Sequence, residues 1–208
     1  VLVFTKSTEE IPFSHLTYFY GQMGAGKSSI ARLIDYCFGG NLDFSPAMQS
    51  EFVSAILHLT INGKPLVIER PRDSDQVHAS WNANNEQFDV LVPARDSQGI
   101  IIPDTRVEVL SDLFFYLAEI SPPLVRRSKL RENSELQRLS FRDLFWYCYL
   151  DQDTFDSDIF HLGEDAHTFK RLKSRDVLRF ILGFHQEQVA ELESELQFLQ
   201  SRKNQLNE

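Results

Sequence analysis

An α/β architecture follows from three stretches of the sequence. Between residues 16 and 38 a β-prone run, a glycine-rich loop and an amphipathic segment succeed one another, the layout of a strand, a turn and a helix. Between residues 52 and 92 β-rich segments follow each other with turn residues and no helix between them, the mark of antiparallel pairing. Near the C-terminus apolar residues recur at spacings of three and four in a polar setting, as in a helical seam.

The composition agrees with a folded chain. Its 208 residues suffice for one sizeable core or a domain with an appendage, and 42% hydrophobic with 25% charged residues excludes a disordered protein. No apolar run approaches the roughly 18 residues of a membrane helix and no signal-peptide layout opens the chain, so a cytoplasmic protein without membrane contact is expected. The first residue is valine, which suggests a piece of something longer. Two distant cysteines, Cys37 and Cys148, lie in apolar helical patterns and are expected as reduced core thiols. The net charge of −9 repels nucleic acid on average, so any DNA contact must come from local basic patches.

Taken in order, the first element is a strand over residues 16–20, Leu-Thr-Tyr-Phe-Tyr, side chains that suit a pleated surface. Gly21, Gln22, Met23, Gly24, Ala25, Gly26, Lys27 and Ser28 then fit the pattern G-x-x-x-x-G-K-[ST], with Ser29 continuing the polar run. Phosphate chemistry explains why a chain would interrupt two apolar elements this way. In such a loop backbone N–H groups wrap the phosphates of a nucleotide, the lysine reaches the β and γ oxygens, and the serine hydroxyl, here Ser28, reaches Mg²⁺. Lys27 stabilises charge on the transferred phosphoryl group and does not act as a base. Ile30, Leu33, Ile34, Cys37 and Phe38 recur at helical spacing, and Gly39-Gly40 is a helix stop. The loop thus opens a helix N-terminus, which itself favours negative charge.

Residues 52–61 and 64–70 read as a hairpin turned by Asn62-Gly63, and residues 77–81 and 87–92 as a second pair turned through residues 82–85. Such pairing is unlike the alternating strand-helix order of a nucleoside kinase or small GTPase. His58 and His78 fall within these strands as ordinary face residues. Residues 107–120 read as a helix, and a helical segment marked by Phe141, Leu144, Phe145 and Cys148 runs into an acidic loop. Within that loop Gln152 offers an amide oxygen to Mg²⁺ or its water and can orient an attacking water. The aspartates around it, Asp151, Asp153, Asp156 and Asp158, lack the glycine and terminal glutamate of a calcium loop.

Val189, Leu192, Leu196, Leu199, Lys203 and Leu206 form the seam at the C-terminal end. Its length is compatible with an ordinary amphipathic helix as well as with the root of a coiled coil, which the absence of a cap favours.

A P-loop, a β-rich insertion, a glutamine loop and a helix entering a coiled coil together resemble the N-terminal half of SMC and double-strand-break-repair ATPases, an ABC-type head. The likeness spans nearly the whole chain and is carried by Gly24-Ala25-Gly26-Lys27-Ser28-Ser29, by Cys37-Phe38-Gly39-Gly40 and by Gln152. Residues 139–144 with 149–153 look like bacterial anti-phage defence ATPases of the Lamassu type more than condensins. The resemblance implies an ABC-ATPase-like N-terminal lobe with an antiparallel β-sublayer over residues 1–183 and the start of a coiled coil over 184–208. It also implies an ATPase completed by a C-terminal lobe, which carries the signature motif, Walker B aspartate and catalytic glutamate, and by a second head in a homodimer. Lys27 and Gln152 are then the catalytic residues present, Ser28 and Gln152 the metal contacts, and Lys6 and Ser7 neighbours of the base or ribose. No arginine occurs between Leu33 and Glu69, where the family carries one that reaches nucleotide.

The same resemblance implies double-stranded DNA and accessory subunits as partners. Lys170, Arg171, Lys173, Arg175 and Arg179 are one candidate DNA contact, and Arg126, Arg127, Lys129 and Arg131 another. Two further readings compete: a self-contained P-loop phosphotransferase, and a tethering protein with a structural ATP site.

Overall fold

The computed structural model describes residues 1–43, 45–83, 86–126, 136–149 and 168–184, together with residues 192, 195, 196, 199, 200, 202 and 203. The chain divides into two compact units, Val1–Ile120 and Ser121–Glu208.

The first unit is a mixed α/β structure built on six strands: β1 (Leu2–Phe4), β2 (Thr8–Glu9), β3 (Phe52–Ile61), β4 (Lys64–Pro71), β5 (Gln76–Ala83) and β6 (Glu86–Pro93). They form one antiparallel sheet in the order β2-β1-β3-β4-β5-β6. The expected hairpins are present. Asn62 and Gly63, at φ 48° and 76°, turn β3 into β4 with Ile61 opposite Lys64, the paired left-handed geometry that suits right-twisted strands. Period-two alternation sets the faces: Leu66, Ile68, Val77 and Val92 are at most 1% exposed, while the intervening residues face outward. Each such aliphatic side chain contributes about 1.5–3 kcal/mol on burial.

Two helices pack on this sheet, α1 (Lys27–Cys37) and α3 (Leu110–Ala118), and a short α2 (Pro46–Glu51) leads into β3. Helix α1 buries Leu33 and Cys37 of the face its spacing predicts, together with Tyr36, while Ile30, Ile34 and Phe38 are partly buried. The Ser45 hydroxyl accepts the Met48 N–H at 3.4 Å and proline follows it, so α2 has an ordinary start signal that the sequence reading passed over. Helix α3 is shorter than the expected 107–120. The Asp112 carboxylate draws in the N–H groups of Glu108 and Val109, and Glu119 turns left-handed at φ 59° with its carboxylate 2.7 Å from Lys64.

Residues 16–20 do not form the expected strand. They run as irregular chain, with Leu16, Tyr18 and Tyr20 88%, 83% and 86% exposed. β-branched and aromatic side chains favour a strand only where neighbours supply a ladder and a face, and this segment pairs with none of the six strands.

The second unit contains β7 (Leu124–Arg126) paired with β8 (Leu136–Arg138), α4 (Phe141–Phe145) and α5 (Thr168–Ile181). Val125, Leu139 and Val177 are its buried centre, with Leu144, Tyr147 and Phe180 packed against them. Helix α4 stops before Cys148, whose thiol is exposed, so of the two expected core thiols only Cys37 is buried. At its far end α5 closes on Gly183: the N–H of Gly183 bonds Phe180 O and that of Phe184 bonds Arg179 O.

Candidate functional site

The glycine-rich loop turns through left-handed glycines on its way into α1. Gly24 and Gly26 take φ 82° and 83°, left-handed values that cost an L-residue about 1–2 kcal/mol. The protein's own atoms leave the space beside both α-carbons open, so backbone conformation, not crowding, selects glycine here. Gly26 is the N-cap of α1, and its carbonyl accepts the first helical bond from Ile30 at 3.1 Å. No side chain caps that end and no acidic residue lies in its first turn, which leaves the helix start to an anion or to water.

Lys27 completes the loop. Its Nζ donates to the carbonyls of Gly21 at 3.0 Å and Gln22 at 2.7 Å, so the loop curls around the ammonium. Gln22 O also accepts the Ala25 N–H at 3.2 Å. Gly21, Gln22, Met23, Gly24 and Ala25 are exposed, as is Ser28 in the first turn of α1. The amides, the ammonium and the hydroxyl that the motif requires are thus gathered at one accessible helix end. Lys6 and Ser7 sit exposed in the β1–β2 turn, where Ser7 O accepts the Phe4 N–H at 2.8 Å.

The opposite end of α1 is tied down with equal care. Gly39 N–H bonds Tyr36 O and Gly40 N–H bonds Asp35 O, the double bond of a glycine-terminated helix. A Cβ on Gly40 would lie 2.7 Å from the Asp35 carbonyl oxygen, so no other residue fits. Two arginines that the sequence reading missed reach the carbonyls beyond this end, Arg70 from β4 and Arg95 from just after β6. The alternation Leu66-x-Ile68-x-Arg70 carried the signal, since it puts a guanidinium where a third apolar side chain belongs. Beside them burial pushes the Cys37 thiol up to about 12 and raises the Tyr36 hydroxyl above its ordinary value.

In the second unit the candidate DNA-contact residues part company. Lys173 is 4% exposed and its Nζ lies 2.5 Å from the carboxylate of Asp143, itself buried and bonded by the Ser140 N–H at 2.9 Å. A lysine neutralised inside the unit does not offer its charge to a phosphate, which corrects the expectation for this residue. Arg175 is exposed, and Arg179 lies 3.7 Å from Asp176. Lys170 and Arg171 belong to α5, but their side chains lie outside the described portion. Gln152, the neighbouring aspartates and Arg127, Lys129 and Arg131 lie outside the described residues.

Among the described residues no group of three or more histidine, cysteine or acidic side chains could hold a metal, and no helix is long and apolar enough to cross a membrane. A family model described as an AAA domain matches residues 3–208. No curated protein and no solved structure matches the chain.

Proposed function

Since the chain belongs to the AAA domain family, an ATP-binding P-loop ATPase group, we propose that it is the N-terminal half of an SMC-like ATPase head that closes on a second head when ATP binds and acts on double-stranded DNA. The observation that carries this reading is the loop of residues 21–28, with Gly26 left-handed at the helix start and Lys27 Nζ held inside the bend. ATP phosphates would take the place of the loop carbonyls as partners of Lys27 and receive the amides of Gly24, Ala25, Gly26, Lys27, Ser28 and Ser29.

The residues present fit Mg²⁺ in its usual nucleotide form, in which one protein hydroxyl and the phosphates hold an ion that keeps most of its water. Ser28, exposed beside Lys27 with no carboxylate in the same helical turn, would supply that hydroxyl and Gln152 an amide oxygen. The bound ion would offset charge on the phosphates.

Completion by a C-terminal lobe is supported by the segment of residues 16–20, which has strand-forming side chains, stands exposed and has no ladder partner in its unit. The coiled-coil reading is supported by Leu192, Leu196 and Leu199, helical residues left 65%, 56% and 53% exposed at seam spacing. DNA contact rests on Lys170, Arg171 and Arg175, with accessory subunits and a defence or repair role as further parts of the reading.

Turnover distinguishes this proposal from a self-contained phosphotransferase. The chain alone should bind ATP without releasing phosphate, and phosphate release should appear on addition of the remaining lobe. Single-turnover phosphoryl transfer by the chain alone would contradict the proposal.

A further inference from the structure

Arg70 is a buried charged residue of the first unit. It is 5% exposed, and its guanidinium lies 3.9 Å from the centre of the Tyr36 ring. One terminal nitrogen donates to Tyr36 O at 2.6 Å and Gly40 O at 2.8 Å, and the other lies 3.9 Å from Asp75. Arg95 Nε donates to Gly39 O at 2.7 Å beside it, and the Tyr36 hydroxyl shares its one proton between Pro71 O and Arg72 O at 2.6 and 2.7 Å. Two neighbouring guanidiniums repel one another. They are held together by the negative end of α1, where backbone carbonyls converge with no basic residue in the last turn to meet them.

We propose that Arg70 is a positioning residue for the phosphate loop: by clamping the C-terminal carbonyls of α1 to the end of β4, it fixes the axial position and angle of the helix whose first turn presents the amides. The inference rests on the P-loop reading above. Its physical basis is that α1 spans only 11 residues, about 16 Å at 1.5 Å per residue, and moves as one rod. Displacement at the carbonyl end is therefore displacement at the amide end. Arg70 Nε is the one buried side-chain donor among the described residues that lacks a partner. A charge kept in the core with a donor unmet is not optimised for stability alone, and placement of the helix gives it a use.

Arg70→Lys keeps the charge and removes the planar fork, and Tyr36→Phe keeps the ring and removes the hydroxyl donor. Both are assayed on the full chain by ATP titration and by hydrogen exchange of the backbone amides. The proposal predicts ATP affinity weakened by about tenfold or more in Arg70→Lys. It also predicts faster exchange at the helix start, residues 26–30, with β5 and β6 unchanged. In Arg70→Ala, millimolar methylguanidinium restores affinity and methylammonium does not. Unchanged affinity with faster exchange confined to residues 38–40 overturns the proposal, since Arg70 would then be a local cap. Should Arg70→Lys not fold, Tyr36→Phe decides by the same two readouts in the same sense. A wild-type chain that binds no ATP defeats the P-loop reading, and exchange at residues 26–30 then judges the clamp by itself.

Discussion

At the residue scale the backbone angle of Gly26 and the burial of Cys37 make the sharpest predictions. Gly26→Ala forces an L-residue to φ 83°, at a cost of about 1–2 kcal/mol, at the point where the helix opens. The free energy of unfolding should fall by that amount, and ATP affinity should fall as the loop relaxes. Cys37 ionises at about 12 in the folded chain against an ordinary value of 9.0. Its folded value is raised, so its contribution is fully present below pH 9 and is lost as pH rises from about 9 to 12. Denaturant titrations across that range should show stability falling, with Cys37 contributing about 1.4 kcal/mol per pH unit that Cys37→Ala removes while the share of Tyr36 remains. Cys148, on the surface, should react with iodoacetamide near neutral pH while Cys37 stays unmodified until the unit unfolds.

At the element scale the ion pair between α4 and α5 decides what Lys173 does. Lys173→Met leaves the Asp143 carboxylate buried without its partner, which costs about 3–5 kcal/mol of stability in the second unit by urea unfolding. Replacing Asp143 by Asn in the same chain should recover part of that loss, because the two side chains act as one group. Arg175→Gln, at the surface of the same helix, should stay within about 0.5 kcal/mol of wild type. The same helix explains why its charges are hard to sort in the sequence: Lys173 and Arg175 stand two apart in one basic run, and only their opposite faces separate a core lysine from an exposed arginine. Turns and caps are more legible. Asn62-Gly63 and Gly39-Gly40 announce a hairpin and a helix stop because each meets a local conformational demand. The strand expected at residues 16–20 fails because its formation depends on a partner strand, which lies in no local pattern.

At the scale of the whole molecule the family match covers residues 3–208, and both units fall within it. The boundary after Ile120 falls in the short connection of residues 119–123 between α3 and β7, where Pro122-Pro123 is a local sign of a loop but not of a division between units. The alternation along β4 hints at a buried Arg70, but its meeting with Arg95 at the end of α1 is not legible, because the two come together only when the sheet is assembled. For DNA, neutralising Lys170, Arg171 and Arg175 in the completed head should flatten the slope of log affinity against log salt by about 0.9 for each phosphate no longer neutralised, and an unchanged slope rejects DNA binding by these residues. The central claim, that the bend at residues 21–28 clasps a triphosphate, is tested most directly by calorimetric titration of ATP with Mg²⁺ into the wild-type chain and Lys27→Ala. The account predicts saturable binding in the wild type and none in the variant, with the unfolding midpoint unchanged. Equal heats of binding in both chains, or none in the wild type, would contradict it.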